Sequence, residues 1–150
     1  WECYMMNLED IIESWKKDCE LDISELGKES NDIPKLHSKY LGEFSNHRMK
    51  LRALRMKKSA LQQTLGEYYR GDLNNPEDLK EINREPWKKA LLKQDVINYV
   101  ANDSEMIKIN LKLAYAEEVV DILEQILKSL NSRSFTIKNS VEFIKFTNGA

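Results

Sequence analysis

Little in this chain breaks a helix. Glycine and proline fill only eight of its 150 positions, which argues against a turn-rich β-sandwich and against a disordered chain. Cysteine is limited to Cys3 and Cys19. Two isolated thiols without framework spacing exclude a disulfide scaffold and fit a reducing cytosol. No apolar run approaches the roughly 20 residues that a membrane span needs. The N-terminal stretch carries acids where a signal peptide would carry bases. Trp1-Glu2-Cys3-Tyr4-Met5 precedes Met6 and reads as an upstream extension of the reading frame.

Catalytic equipment is equally scarce. His37 and His47 are the only histidines. On a helix they would stand roughly 15 Å apart, so they read as polar seam positions rather than a working pair. No Ser, Cys or Lys sits in a nucleophile setting, and there is no Walker A pattern or Gly-rich phosphate loop. Cys and His lack zinc spacing. Glu117, Asp121 and Glu124 share a helix face, but the Glu-x-x-His partners of a di-iron bundle are missing. That face reads as solvated or salt-bridged. The expectation is a protein that is not an enzyme, with no cofactor and no metal.

Acid is also missing where it matters most. From Phe44 to Gly66 there is no Asp or Glu, and His47–Lys58 holds six Lys or Arg in twelve positions. Residues 1–34 carry ten acids against three bases, 35–70 nine bases against two acids, and 71–150 eleven bases against thirteen acids. A net charge of −2 therefore conceals segments of −7, +7 and −2. Such asymmetry points to nucleic acid or to an acidic protein surface. Arg48, Arg52 and Arg55 recur at i, i+4 and i+7, and Lys50, Lys57 and Lys58 are expected to broaden that face. Phosphate neutralisation by such residues gives salt-sensitive, largely sequence-independent binding. Tyr68 and Tyr69 at the helix end are candidates for stacking on bases; Tyr68 falls on the apolar seam and reads as packed, which leaves Tyr69 as the expected nucleic-acid contact. The competing reading is a coiled-coil oligomeric scaffold whose basic face pairs with protein.

Hydrophobic spacing organises the rest. Asn7 caps a short helix through Ile11 and Trp15. Asp22, with Glu25 three residues on, resembles a capping box. Leu26, Ser30, Ile33, His37, Tyr40, Phe44, His47, Leu51, Leu54, Lys58, Leu61, Leu65 and Tyr68 then step by four and three. The phase survives Pro34, so one long kinked helix is predicted, stopping at Gly71. Short helices are expected at Asn75-Pro76 and at Glu85-Pro86-Trp87, with a break at Asn102-Asp103-Ser104. Met106, Ile109, Leu113, Ala116, Val120, Leu123, Leu127 and Leu130 form a second seam, with Ile107, Leu111, Tyr115, Val119, Ile122 and Ile126 beside it. Two stripes need neighbours on two sides, as in a bundle or ring of subunits. Leu113, Val120, Leu123, Leu127 and Leu130 are the expected oligomerisation residues. The helix is expected to end at Asn131-Ser132, before an apolar tail of Phe135, Ile137, Val141, Phe143, Ile144 and Phe146 that folds back over it as a short helix or strand. The fold class is mainly α: a long kinked helix and a C-terminal coiled-coil-like helix in a ring-like homo-oligomer. The chain reads as a single domain over 1–150, with a basic arm at 22–70, a connector at 71–103 and an oligomerisation element at 104–150.

Several strings carry a family likeness. Leu36-His37-Ser38-Lys39-Tyr40-Leu41, the basic helix, then Glu67-Tyr68-Tyr69-Arg70-Gly71 resemble the core of the UvsY recombination mediators of T-even-like phages. Leu111-Lys112-Leu113-Ala114-Tyr115 through Lys138-Asn139 resembles that family's C-terminal block, and Met6-Asn7-Leu8-Glu9-Asp10 with Trp15-Lys16-Lys17-Asp18 its start. The resemblance covers about residues 6–149. It implies binding to single-stranded DNA coated by the phage single-strand-binding protein, and loading of a RecA-like phage recombinase in the cytoplasm of an infected bacterium. It also implies rings of identical subunits, a heptamer in the family's best-known member. Where the family places a basic pair before the Tyr-Tyr, this chain has Gln62-Gln63-Thr64-Leu65. The resemblance therefore points to Arg55, Lys57 and Lys58 as substitutes. Ser134 stands where the family carries Gly.

Overall fold

The computed structural model describes residues 4–149. Trp1, Glu2, Cys3 and Ala150 lie outside the described residues, and with them the Cys3 thiol and most of the expected upstream extension. The described residues form helices and no strand: α1 (Leu8–Asp18), a 3-10 turn (Ile23–Glu25), α2 (Leu26–Arg70), α3 (Pro76–Glu81), α4 (Lys93–Ala101) and α5 (Ser104–Thr147). They divide into two compact units. One holds the described residues up to Met49 and those from Ala116 on; the other is Lys50–Tyr115.

Local chemistry sets the boundaries. Asn7 Oδ1 accepts from the Asp10 amide at 2.8 Å, and the Asp10 carboxylate accepts from the Asn7 amide at 3.3 Å, a reciprocal cap for α1. Asp22 accepts from Ser24 N at 2.9 Å, but its own amide donates to Glu29, not to the expected Glu25. The 45 residues of α2 run through Pro34, as the unbroken phase predicts. That position is exposed. The helix ends at Gly71, whose φ of 81° is a left-handed conformation open to glycine. Of the thirteen seam positions on α2, only Ser30 is exposed.

In the first unit, Leu123, Leu127 and Leu130 of α5 pack with Val119 and Ile126 against Ile11 of α1 and Tyr40 of α2. Both apolar stripes are covered here because α1 and α2 supply the two neighbours from the same chain. A fully buried leucine of this kind contributes roughly 1.5–3 kcal/mol. The expected subunit contact through Leu113, Val120, Leu123, Leu127 and Leu130 is thereby corrected: Val120 is half-buried and the other four are buried within the chain itself.

The expected helix end at Asn131-Ser132 is also corrected, because α5 continues to Thr147. The seam does not stop there either. It runs on through Arg133 and Ile137 to half-buried Val141 and Ile144. Arg133 donates to the Asp18 carbonyl at 2.6 Å and the Glu20 carbonyl at 2.9 Å, and lies 3.5 Å from a Glu29 carboxylate oxygen. It thus satisfies carbonyls left open where α1 ends. Phe135, Phe143 and Phe146, expected in a folded-back tail, are exposed on α5.

In the second unit, Leu65, Tyr68 and Tyr69 of α2 pack with Leu79, Val96, Val100 and Met106. The helix expected to start at Glu85-Pro86-Trp87 and to carry Leu91, Leu92, Val96, Tyr99 and Val100 starts later: the chain is irregular from Arg84 to Leu92, and α4, which holds Val96, Tyr99 and Val100, starts at Lys93. The aromatic ring explains this. Trp87 lies 4.8 Å from Tyr69 and 5.5 Å from Tyr99 between centroids, and the Glu85 carbonyl accepts from Tyr68 Oη at 2.8 Å. Those contacts hold the segment out of a helix. Only the first stripe of α5 is covered here. Ile107, Leu111 and Tyr115 of the second remain exposed.

Candidate nucleic-acid interface

Arg48, Lys50, Arg52, Arg55 and Lys57 are exposed on α2, and Lys58 is half-buried. The inward face between them is occupied by His47, buried Leu51 and half-buried Leu54. Arg48, Arg52 and Arg55 form one flank of the helix. Lys50 and Lys57 do not broaden that flank. At about 100° per residue they lie roughly 160° away, on the other side of the seam. The cations therefore straddle the buried stripe. Arg48 lies over the Phe44 ring at 5.3 Å, a cation–π contact that steadies the start of the arginine flank.

Two buried arrangements support α2. In the first unit, the amide of Met6 donates to Glu43 Oε2 at 3.2 Å, and His47 Nε2 lies 2.9 Å from the Met6 carbonyl. A carbonyl only accepts, so Nε2 carries the proton in this contact. Sequence spacing had marked His47 only as a polar seam position. In the structure it clamps the N-terminal segment onto α2, one turn before Leu51.

In the second unit, Asp103 is the hub. It accepts two bonds from Arg84, at 2.6 and 2.8 Å, one from Tyr69 Oη at 2.7 Å, and one from the Glu105 amide at 2.9 Å. The last of these caps α5. Burial pushes the Asp103 carboxyl up, but the Arg84, Tyr69 and Glu105 donors outweigh it and hold its pKa down to about 2. Burial, and then the carboxylate beside it, push the Tyr69 hydroxyl up. Arg84 also lies over the Tyr68 ring at 5.2 Å. Nothing in the spacing joined Arg84 to Asp103; only the helix break at Asn102-Asp103-Ser104 was legible.

Tyr69 is accordingly corrected as a base-stacking residue. It is 8% exposed, with Tyr68, Trp87 and Tyr99 around its ring. Its part is to anchor the end of α2. Elsewhere on the surface, exposed Glu124 lies 3.8 Å from Lys128 one turn on. Among the described residues no helix is long and apolar enough to cross a membrane.

A family model described as "Recombination, repair and ssDNA binding protein UvsY" matches residues 14–150. The chain belongs to the UvsY family. It is 30% identical over 145 residues to the recombination protein uvsY of Enterobacteria phage T4, covering 96% of this chain and 99% of that protein. Its fold matches crystal structures of the bacteriophage T4 recombination mediator protein UvsY. In one lattice the TM-score is 0.81 at 24% identity, over 95% of this chain and 98% of the other. In a second it is 0.82 at 23% identity, over 94% and 99%. UvsY membership makes this a protein of recombination, repair and single-stranded DNA binding, a description of binding rather than catalysis.

Proposed function

We propose that this UvsY-family chain is a phage recombination mediator acting in the cytoplasm of an infected bacterium. It binds single-stranded DNA through Arg48, Lys50, Arg52, Arg55, Lys57 and Lys58. It promotes loading of a RecA-like phage recombinase onto DNA coated by the phage single-strand-binding protein. The observation that carries this reading is the exposure of five of those six cations along one stretch of α2. In this reading 1–150 acts as one mediator domain: 22–70 presents the DNA face, 71–103 connects, and 104–150 carries self-association. Because the leucine seam of α5 is buried in its own chain, self-association into a ring, as a heptamer, falls to exposed apolar residues such as Phe135, Phe143 and Phe146. Repetition around a ring turns weak single contacts into strong binding by avidity.

The test is anisotropy of a labelled single-stranded oligonucleotide across a salt series, for the wild type and a triple charge reversal at Arg52, Arg55 and Lys58. Each phosphate contact adds about 0.7 to the negative log–log slope for a single strand. Loss of three should lower the slope by about 2 per binding unit. Absence of binding at low salt from folded protein would end the DNA reading. A triple variant that keeps DNA affinity but fails to assemble would favour the scaffold, with the basic face on protein.

A further inference from the structure

The arginine flank of α2 leads somewhere. Beyond Arg48, Arg52 and Arg55, the same three-and-four stepping passes through Ser59, Gln62 and Gly66 to Arg70. From Gln62 onward this line forms one wall of a groove of 360 Å³, closed by α4 and the first turns of α5. Buried Val100 and Met106 give the groove an apolar lining, and Gln62 and Asn110 contribute amides. Lys58 and Arg70 add two cations, and no Asp or Glu lines it. Arg70 is held by Asp72 through Nε at 3.0 Å, and its Nη1 lies 3.3 Å from where a side chain on Gly66 would begin. The absence of a side chain at Gly66 lets the guanidinium lie across the helix.

We propose that this groove receives one unstacked nucleobase from a bound DNA single strand, with Lys58 and Arg70 taking phosphates beside it. The inference rests on the single-strand reading above and goes further by naming a base-binding site. Three features select this occupant. The groove continues the cationic flank, so a strand tracked by Arg52 and Arg55 arrives at it. Its apolar lining meets a base face, while amides supply both a donor and an acceptor to a base edge. The charged residues that line it are both cations, Lys58 and an Arg70 that shares its Nε with Asp72, which suits a phosphodiester. The tyrosines that would stack a base are buried, and Met49 and Met56 stand exposed among the cations without a concave wall, whereas exposed Ile97 adds apolar surface inside the groove.

The experiment compares a labelled oligothymidylate with a strand of equal length and charge lacking all its bases, at one salt concentration. The wild type should prefer the thymidylate about tenfold, within the range for stacking one base. Ala101→Leu, which adds bulk at an exposed lining position, should bring that preference close to unity and leave affinity for the abasic strand in place. Gln62→Leu should lower the preference in the same direction. It carries the test alone if circular dichroism shows Ala101→Leu misfolded. Equal affinity of the wild type for both strands would overturn the groove while leaving phosphate binding intact. Binding of neither strand would overturn the single-strand reading itself. A full preference retained by both variants would also overturn the proposal, and self-association lost at the same time would assign the groove to a second copy of the chain.

Discussion

Replacing Arg84 with methionine isolates the Asp103 hub. The Asp103 side chain is only 2% exposed and takes two of its four hydrogen bonds from Arg84. Charge-assisted bonds contribute about 1.5–3 kcal/mol each, and removing one partner of a buried pair costs about 3–5 kcal/mol because a charge is stranded. Tyr69 and the Glu105 amide remain as donors, so a loss of about 3 kcal/mol is expected at pH 7. The pH dependence gives the sharper readout. In the wild type the folded pKa of Asp103, about 2, lies below its ordinary value of 3.8. The stability this contributes is present above about pH 4 and is lost as pH falls toward 2. Without Arg84, burial dominates and the folded pKa rises above the unfolded one. The variant is then penalised at neutral pH and relieved as acid protonates the carboxyl. Urea unfolding at fixed protein concentration, at pH 7, 5 and 3.5, should show the gap between the two proteins narrowing with acid. A gap below about 1 kcal/mol at pH 7, or one that does not change with pH, would refute the argument.

Arg133→Met should cost about 2–4 kcal/mol, because two carbonyls at the end of α1 lose their donor; Arg133→Lys, with a single point charge, should recover no more than about half. Urea midpoints for the pair would decide this, and equal midpoints for Lys and Met would show that the fork geometry contributes nothing. Gly71→Ala should destabilise by about 1 kcal/mol through its left-handed φ of 81° alone, since an added Cβ meets nothing within 4 Å. An unchanged thermal midpoint would mean the turn relaxes at no cost.

How much was legible can be seen residue by residue. Periodicity announced α2 from its seam, including passage through Pro34, because an inward stripe repeats whatever its partner is. The same logic failed at Arg133. A cation on the seam reads as a break unless one knows that α1 ends against it. It failed at Trp87 too, where Pro86 looks like a helix start and four aromatic rings decide otherwise. For the interface, the block of cations was plain from residue types, but their split onto two flanks follows from helical phase. Burial of Tyr69 follows only from tertiary packing.

The sequence by itself determined an all-helical chain, its long helices and their inward faces, and a concentrated positive charge on α2. Composition and periodicity are local properties, and these conclusions need nothing else. What covers each inward face was decided by the tertiary structure. The two stripes of α5 could have met neighbouring subunits or the same chain, since apolar surface does not specify its partner. Packing of α1 and α2 against Leu123, Leu127 and Leu130 settled that choice within the first unit. Only the folded second unit sets Arg84 against Asp103 and opens the groove beside Gln62, because those residues are distant in the chain and meet only when the helices pack.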